Sequence, residues 1–164
     1  MALLLSAVLL SRKSPAAEPP HPAHAEARRT HIGASMAWNE GDNAYVGMLF
    51  GDFYPRTWLC LRNGIGSMDA RDFERWFFGM DFGIRVATPT RLAPFAGIGG
   101  FLGYRTERED GEDETRFIAT LHPELGCDLW FPRGYRLTGV TSWHFTSEGG
   151  TRVWVSGVEF SVPF

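Results

Sequence analysis

Gly150-Thr151-Arg152-Val153-Trp154-Val155-Ser156-Gly157-Val158-Glu159-Phe160-Ser161-Val162-Pro163-Phe164 closes the chain. Taken in twos, Trp154, Ser156, Val158, Phe160, Val162 and Phe164 fall on one face. Val155, Gly157, Glu159, Ser161 and Pro163 fall on the other. Successive side chains of a strand point to opposite sides, so this is a strand with one greasy face and one small or polar face. The final residue is itself aromatic.

Moving outward, turn-rich clusters cut residues 28–164 into about eight pieces of strand length. The clearest carries Trp76, Phe78, Met80, Phe82, Ile84 and Val86 on one face, with Phe77, Gly79, Asp81, Gly83 and Arg85 between them. Strands are also expected over Arg29–Trp38, Asn43–Phe53, Arg56–Ile65, Leu92–Arg105, Arg116–Phe131 and Tyr135–Thr146. The two faces of Asn43–Phe53 cannot be ranked. Asp52–Pro55, Thr88–Leu92 and Pro132–Gly134 read as short turns. Asn39–Asp42, Gly66–Asp72, the acidic run Glu107–Glu114 and Ser147–Gly150 read as polar loops. The weave from Pro94 to Tyr104 contains glycines, but no helical pattern follows it, so a dinucleotide fingerprint is rejected.

Composition agrees with an all-β domain. The chain has 164 residues, with 19 Gly and 14% aromatics. Its formal charge of -3 excludes the strongly basic footprint of a nucleic-acid binder. Lys13 is the only lysine and precedes the strand region. Ala2–Leu10 is an apolar run too short to cross a bilayer, which takes about 20 residues as a helix. It fits the centre of a secretory signal, and Ala23-His24-Ala25 offers a cleavage site before Glu26. The expected division is residues 1–25 as signal peptide and 26–164 as barrel domain. Cys60 and Cys127 fall on non-neighbouring strands with opposite facing, so two free thiols are expected.

An alternating terminal strand ending in Phe resembles the sorting signal of bacterial outer-membrane β-barrels. With the signal, the strand rhythm and the loop parity, the chain resembles the small eight-stranded barrels of the OmpA membrane domain, OmpX and OmpW type. That resemblance implies an eight-stranded antiparallel up-and-down transmembrane barrel in the Gram-negative outer membrane. It implies short periplasmic turns and longer outer loops. Outer-membrane lipid and lipopolysaccharide are the implied partners, with the barrel-assembly machinery engaging the C-terminal strand. A monomer is expected.

Two features favour the greasy face pointing at lipid over a soluble lipocalin-like barrel with that face inside. Trp38, Trp76, Tyr104, Phe131, Tyr135, Trp143, Phe145 and Phe164 sit near strand ends, as interfacial girdles do. The opposite face is mostly Gly, Ser and Thr with charges of both signs: Arg62, Asp81, Arg85, Arg105, Glu124, Asp128, Arg136 and Glu159. Inside an eight-stranded barrel there is room only for side chains, so these are expected to pair as an ion network filling the lumen.

Three chemical readings compete with a purely structural one. His144 and Thr146, with Glu159 on the last strand, resemble the His-x-Ser and acidic partner of outer-membrane lipid A deacylases, though Thr replaces Ser. A histidine beside a hydroxyl can activate it as a nucleophile. The acidic run is read as a solvated loop, not a cation site. His122 and Glu124 share a face but lack a third ligand, so a buried polar pair is expected. No cofactor or metal is implied. The expected function is non-enzymatic: envelope structure or surface interaction through the outer loops. Minor passive transport and deacylation stand as alternatives.

Overall fold

A computed structural model describes residues 30–39, 44–70, 75–109, 112–147 and 152–164. The expected signal segment 1–25 lies outside them. The described residues form eight strands: β1 (Thr30–Asn39), β2 (Ala44–Arg56), β3 (Leu59–Ala70), β4 (Arg75–Ala87), β5 (Leu92–Glu109), β6 (Glu112–Trp130), β7 (Arg136–Thr146) and β8 (Arg152–Pro163). Each pairs antiparallel with its neighbour, and β8 returns to β1 to close the barrel. Closure satisfies every ladder and leaves no sheet edge in lipid.

The facing of each strand follows from its alternation. On β4, Trp76, Phe78, Met80, Phe82, Ile84 and Val86 are all exposed, while Arg85 is buried. On β8, Trp154, Val158, Phe160 and Val162 point out, and Val155, Glu159 and Ser161 point in. Between the aromatic rims, the outward positions of the described strands carry no Asp, Glu, Lys or Arg. A charge there would cost about 2–4 kcal/mol for Arg at the membrane midplane. This is the reverse of a soluble barrel, whose exterior is charged. Aromatic contacts mark the rims: Trp143 stacks on Trp154 and Trp38 meets Tyr45 at one end, and Tyr135 stacks on Phe160 at the other.

Three expected connections prove to be strand. Asp52–Pro55 is not a turn: β2 continues to Arg56, and the chain reverses at Thr57–Trp58. Pro55 is tolerated because the β2–β3 register shifts between Phe53 and Arg56, where its missing N–H breaks no ladder bond. The expected loop Gly66–Asp72 is strand as far as Ala70. The acidic run Glu107–Glu114 is the top of the β5–β6 hairpin, with Glu107 opposite Glu114 and Arg108 opposite Asp113. The facing acids are tolerated because each is neutralised on its own strand: Arg105 donates to Glu107, and Arg116 donates to Glu114 at 2.7 Å. β6 runs past β7, whose pairing with it begins only at Thr120.

Glycines explain how a narrow barrel holds large inward groups. The Phe101 ring lies where Cβ atoms on Gly79 and Gly103 would stand, 2.6 and 2.7 Å from its tip. The Phe95 ring occupies the same kind of space over Gly126, and the His122 imidazole over Gly99. The Gly/aromatic weave is therefore a packing code across neighbouring strands, not a flexibility signal.

Candidate functional site

The candidate site is the lumen, and its two ends differ. Toward the short turns and the termini it is packed. Tyr54, Trp130 and His31 meet edge to face, with ring centres 5.2–5.8 Å apart. Cys60, Ala87, Ala93 and Phe95 complete this buried cluster. Cys60 points inward on β3, whereas Cys127 faces outward on β6, and both are free thiols.

Above the cluster lies a continuous layer of ion pairs. Arg62 binds Asp52 through two N–H bonds of 2.8 and 2.9 Å. The same guanidinium reaches both oxygens of Glu159. Arg85 also grips both oxygens of Glu159, at 2.9 and 3.0 Å, and holds Glu124 at 2.5 and 2.8 Å. Glu159 thus accepts four bonds from two guanidinia. Arg136 donates to Asp52 and to the Tyr54 hydroxyl, and its Nε lies 3.9 Å from Asp128. Thr138 donates to Asp128 at 2.6 Å. Bidentate guanidinium–carboxylate pairs are the strong members of their class, and they satisfy the charges that burial would otherwise penalise. Arg62 also stacks over Phe50 at 4.0 Å, and Arg85 over Phe95 at 4.6 Å.

The expected network is therefore present, but it does not fill the whole lumen. Two of its expected members stand apart. Arg105 pairs with Glu107 on its own strand. Asp81 faces His122, with 3.4 Å between carboxylate and Nε2. Asp52, the acid shared by Arg62 and Arg136, lies in the segment expected to be a turn; its strand parity with Phe50 and Tyr54 is the sequence signal that points it inward.

On the loop side of the ion layer is a cavity of about 190 Å³. Arg62, Arg85, Glu124 and Glu159 form its floor, and it reaches Asn39 and Thr146, the last residues of β1 and β7. Phe77, Phe101, Ile118, Val140 and Val155 supply apolar wall. His122 and His144 stack with ring centres 4.4 Å apart. They face each other where the β6–β7 ladder is interrupted, next to Pro123, which has no N–H to give. Glu124 is taken by Arg85, so the expected His122–Glu124 pair does not form.

The deacylase-like residues are not assembled. His144 points into the lumen and shares a 2.9 Å hydrogen bond with Ser142. Glu159 sits opposite Thr138, six residues along β7 from His144, with both oxygens held by arginines. Among the described residues no group of three or more His, Cys, Asp or Glu is arranged to hold a metal.

A closed eight-stranded barrel with an apolar exterior and its charges inside is a small transmembrane barrel of the outer-membrane type. Its fold is similar to that of Neisserial surface protein A (NspA): TM-score 0.62 and 12% identity, over 82% of this chain and 96% of that one. The N-terminal β-barrel domain of Pseudomonas aeruginosa OprF matches with TM-score 0.59 and 14% identity, over 82% and 97%. A de novo designed transmembrane β-barrel matches at 0.52 and 12%, over 82% and 96%. At these identities the likeness is one of fold. No protein-family description and no curated protein sequence matches the chain.

Proposed function

We propose that this protein is a non-enzymatic outer-membrane barrel that acts through its loop-end surface rather than through a conducting lumen. The observation that carries this reading is the ion-pair layer from Glu124 through Arg85, Glu159, Arg62 and Asp52 to Arg136. It crosses the lumen in bonds of protein to protein, and the aromatic cluster backs it. In this reading the turns and termini lie in the periplasm. The acidic β5–β6 hairpin, whose strands are 18 and 19 residues against 10–13 for the others, is the main surface offered outside. Lipid and lipopolysaccharide surround a monomeric barrel, and the β8 strand ending in Phe164 is the segment offered to the assembly machinery.

The test joins fractionation to electrophysiology. Expressed in a Gram-negative host, the protein is expected in the outer membrane, with gel mobility that changes on boiling. In a planar bilayer it is expected to give no steady conductance. Sustained open steps would replace this reading with transport.

A further inference from the structure

The loop-side cavity is built differently from a gap left by poor packing. Polar and apolar residues share its lining, and most of the charged groups are tied to one another or to their own strand. Asp81 is the one acid lining it for which no guanidinium partner is found among the described residues; Glu124 and Glu159 are both held by arginines. The Asp81 side chain is 14% exposed, and it lines the cavity. Nearby, His122 Nδ1 and Thr120 Oγ1 are buried without a hydrogen-bond partner among the described residues. His122 is itself only 5% exposed. A buried polar atom left unsatisfied costs free energy that a ligand or an ordered water recovers.

Aromatic surface adjoins the Asp81 carboxylate. Phe101 sits directly opposite Asp81 in the β4–β5 register, and Phe77 lies four residues back along β4 on the same inward face. A carboxylate beside ring faces suits a cation, which gains a charge-assisted hydrogen bond and ring attraction together. An anion is disfavoured, because the floor arginines already spend their N–H groups on Glu124, Glu159 and Asp52. A metal ion is disfavoured, because the parallel His122 and His144 rings do not converge on one point. The cavity's volume is room for a small molecule.

We propose that this cavity is a binding site for a small organic ammonium ion with an apolar body. The ammonium group is held by Asp81 beside Phe77 and Phe101, and the apolar body packs against Val46, Met48 and Val155. Entry is from the loop end, since the ion-pair floor closes the other side. The acidic hairpin draws cations toward that mouth.

The test titrates the full-length barrel, in detergent micelles, with benzylammonium chloride, using benzyl alcohol and benzoate as probes of the same ring without the cation. Isothermal calorimetry and amide NMR shifts report binding. Saturable benzylammonium binding is expected, with shifts on β4, β5 and β6, and about tenfold or weaker affinity for benzyl alcohol. Asp81→Asn is expected to weaken benzylammonium about tenfold or more and to leave benzyl alcohol unchanged. Val46→Phe narrows the cavity from β2 while leaving Asp81 in place and should abolish both. Boiling-dependent mobility confirms that each variant is folded. Equal binding of benzylammonium and benzyl alcohol, or no effect of Asp81→Asn in a folded barrel, overturns the proposal. Absence of saturable binding to the native chain, with the cavity holding only water, overturns it as well.

Discussion

The two halves of the lumen use the same residue types to opposite ends. In the turn-side half, every arginine and acid is locked to a partner, and Asp52, Glu159, Arg85 and Arg136 are each no more than 3% exposed. In the loop-side half, Asp81 and His122 meet only at 3.4 Å, and a cavity of about 190 Å³ separates the walls. The difference teaches where a narrow barrel stores rigidity. Charge pairs and rings form one cross-braced layer that ties β2, β3, β4, β6, β7 and β8 together. Among the described residues, the other half has only local side-chain contacts beside its ladders, such as the His122–His144 stack, and the β6–β7 ladder is interrupted beside Pro123.

The sharpest way to break this contrast is Glu159→Ala. It strips one bidentate partner from Arg62 and another from Arg85 while both stay buried. Removing one member of a buried pair costs about 3–5 kcal/mol. Urea unfolding of the barrel in lipid vesicles should show a loss of that size. Asp81→Asn, on the hollow side, keeps the side chain's shape and removes a charge that no guanidinium among the described residues holds, so it should cost less, about 1 kcal/mol at most. Equal losses would mean that the two halves are not mechanically distinct.

Glycine substitutions make a second, smaller contrast. An alanine Cβ at Gly126 would meet the Gly139 carbonyl oxygen and the Phe95 ring, each at 2.4 Å. Backbone and packed ring cannot both withdraw, so the strain expected is about 2–3 kcal/mol. At Gly99 the three nearest atoms all belong to the His122 ring, which borders the cavity and has somewhere to go. There the cost should be about 1 kcal/mol. Thr138→Val and Ser142→Ala repeat the comparison with hydrogen bonds. Thr138 donates to a buried carboxylate, worth about 1.5–3 kcal/mol, whereas the Ser142–His144 bond joins uncharged groups and is worth about 0.5–1.5 kcal/mol. Reversal of either ordering in unfolding midpoints would place the stiff half at the wrong end.

Much of this was legible in the chain. β4 and β8 could be read face by face, because one side is greasy and the other small or charged. The closed barrel followed from eight such segments and the parity of their connections. What was lost is where alternation lacks contrast. In β2 both faces carry aromatics, with Phe50 and Tyr54 inward and Tyr45 and Phe53 outward, so period two does not rank them. Asp52, followed by Phe-Tyr-Pro, then imitates a turn, and the hub of the ion layer is missed. The acidic hairpin is missed for the reverse reason. Its charges read as those of a solvated loop, yet Arg105 and Arg116 each neutralise an acid on their own strand and let two strands pair. The cavity was not legible at all. Its existence depends on which inward groups bond to each other, and no spacing along one strand reports that.

The smallest predicted effect is the most discriminating. Val46 lines the cavity from β2. Enlarging a side chain in a well-packed core ordinarily costs about 1–3 kcal/mol, because neighbours are forced off their rotamers. The ring of Val46→Phe would instead enter free volume and gain contacts along its faces. Its stability should therefore match the native barrel within about 0.5 kcal/mol, or exceed it. The same enlargement at Ala93, which is wholly buried in the turn-side cluster, should carry the full packing penalty. A well-tolerated Ala93→Phe beside a damaging Val46→Phe would mean that the free space lies below the ion layer, and the division of the lumen drawn from the charge pairs would have to be inverted.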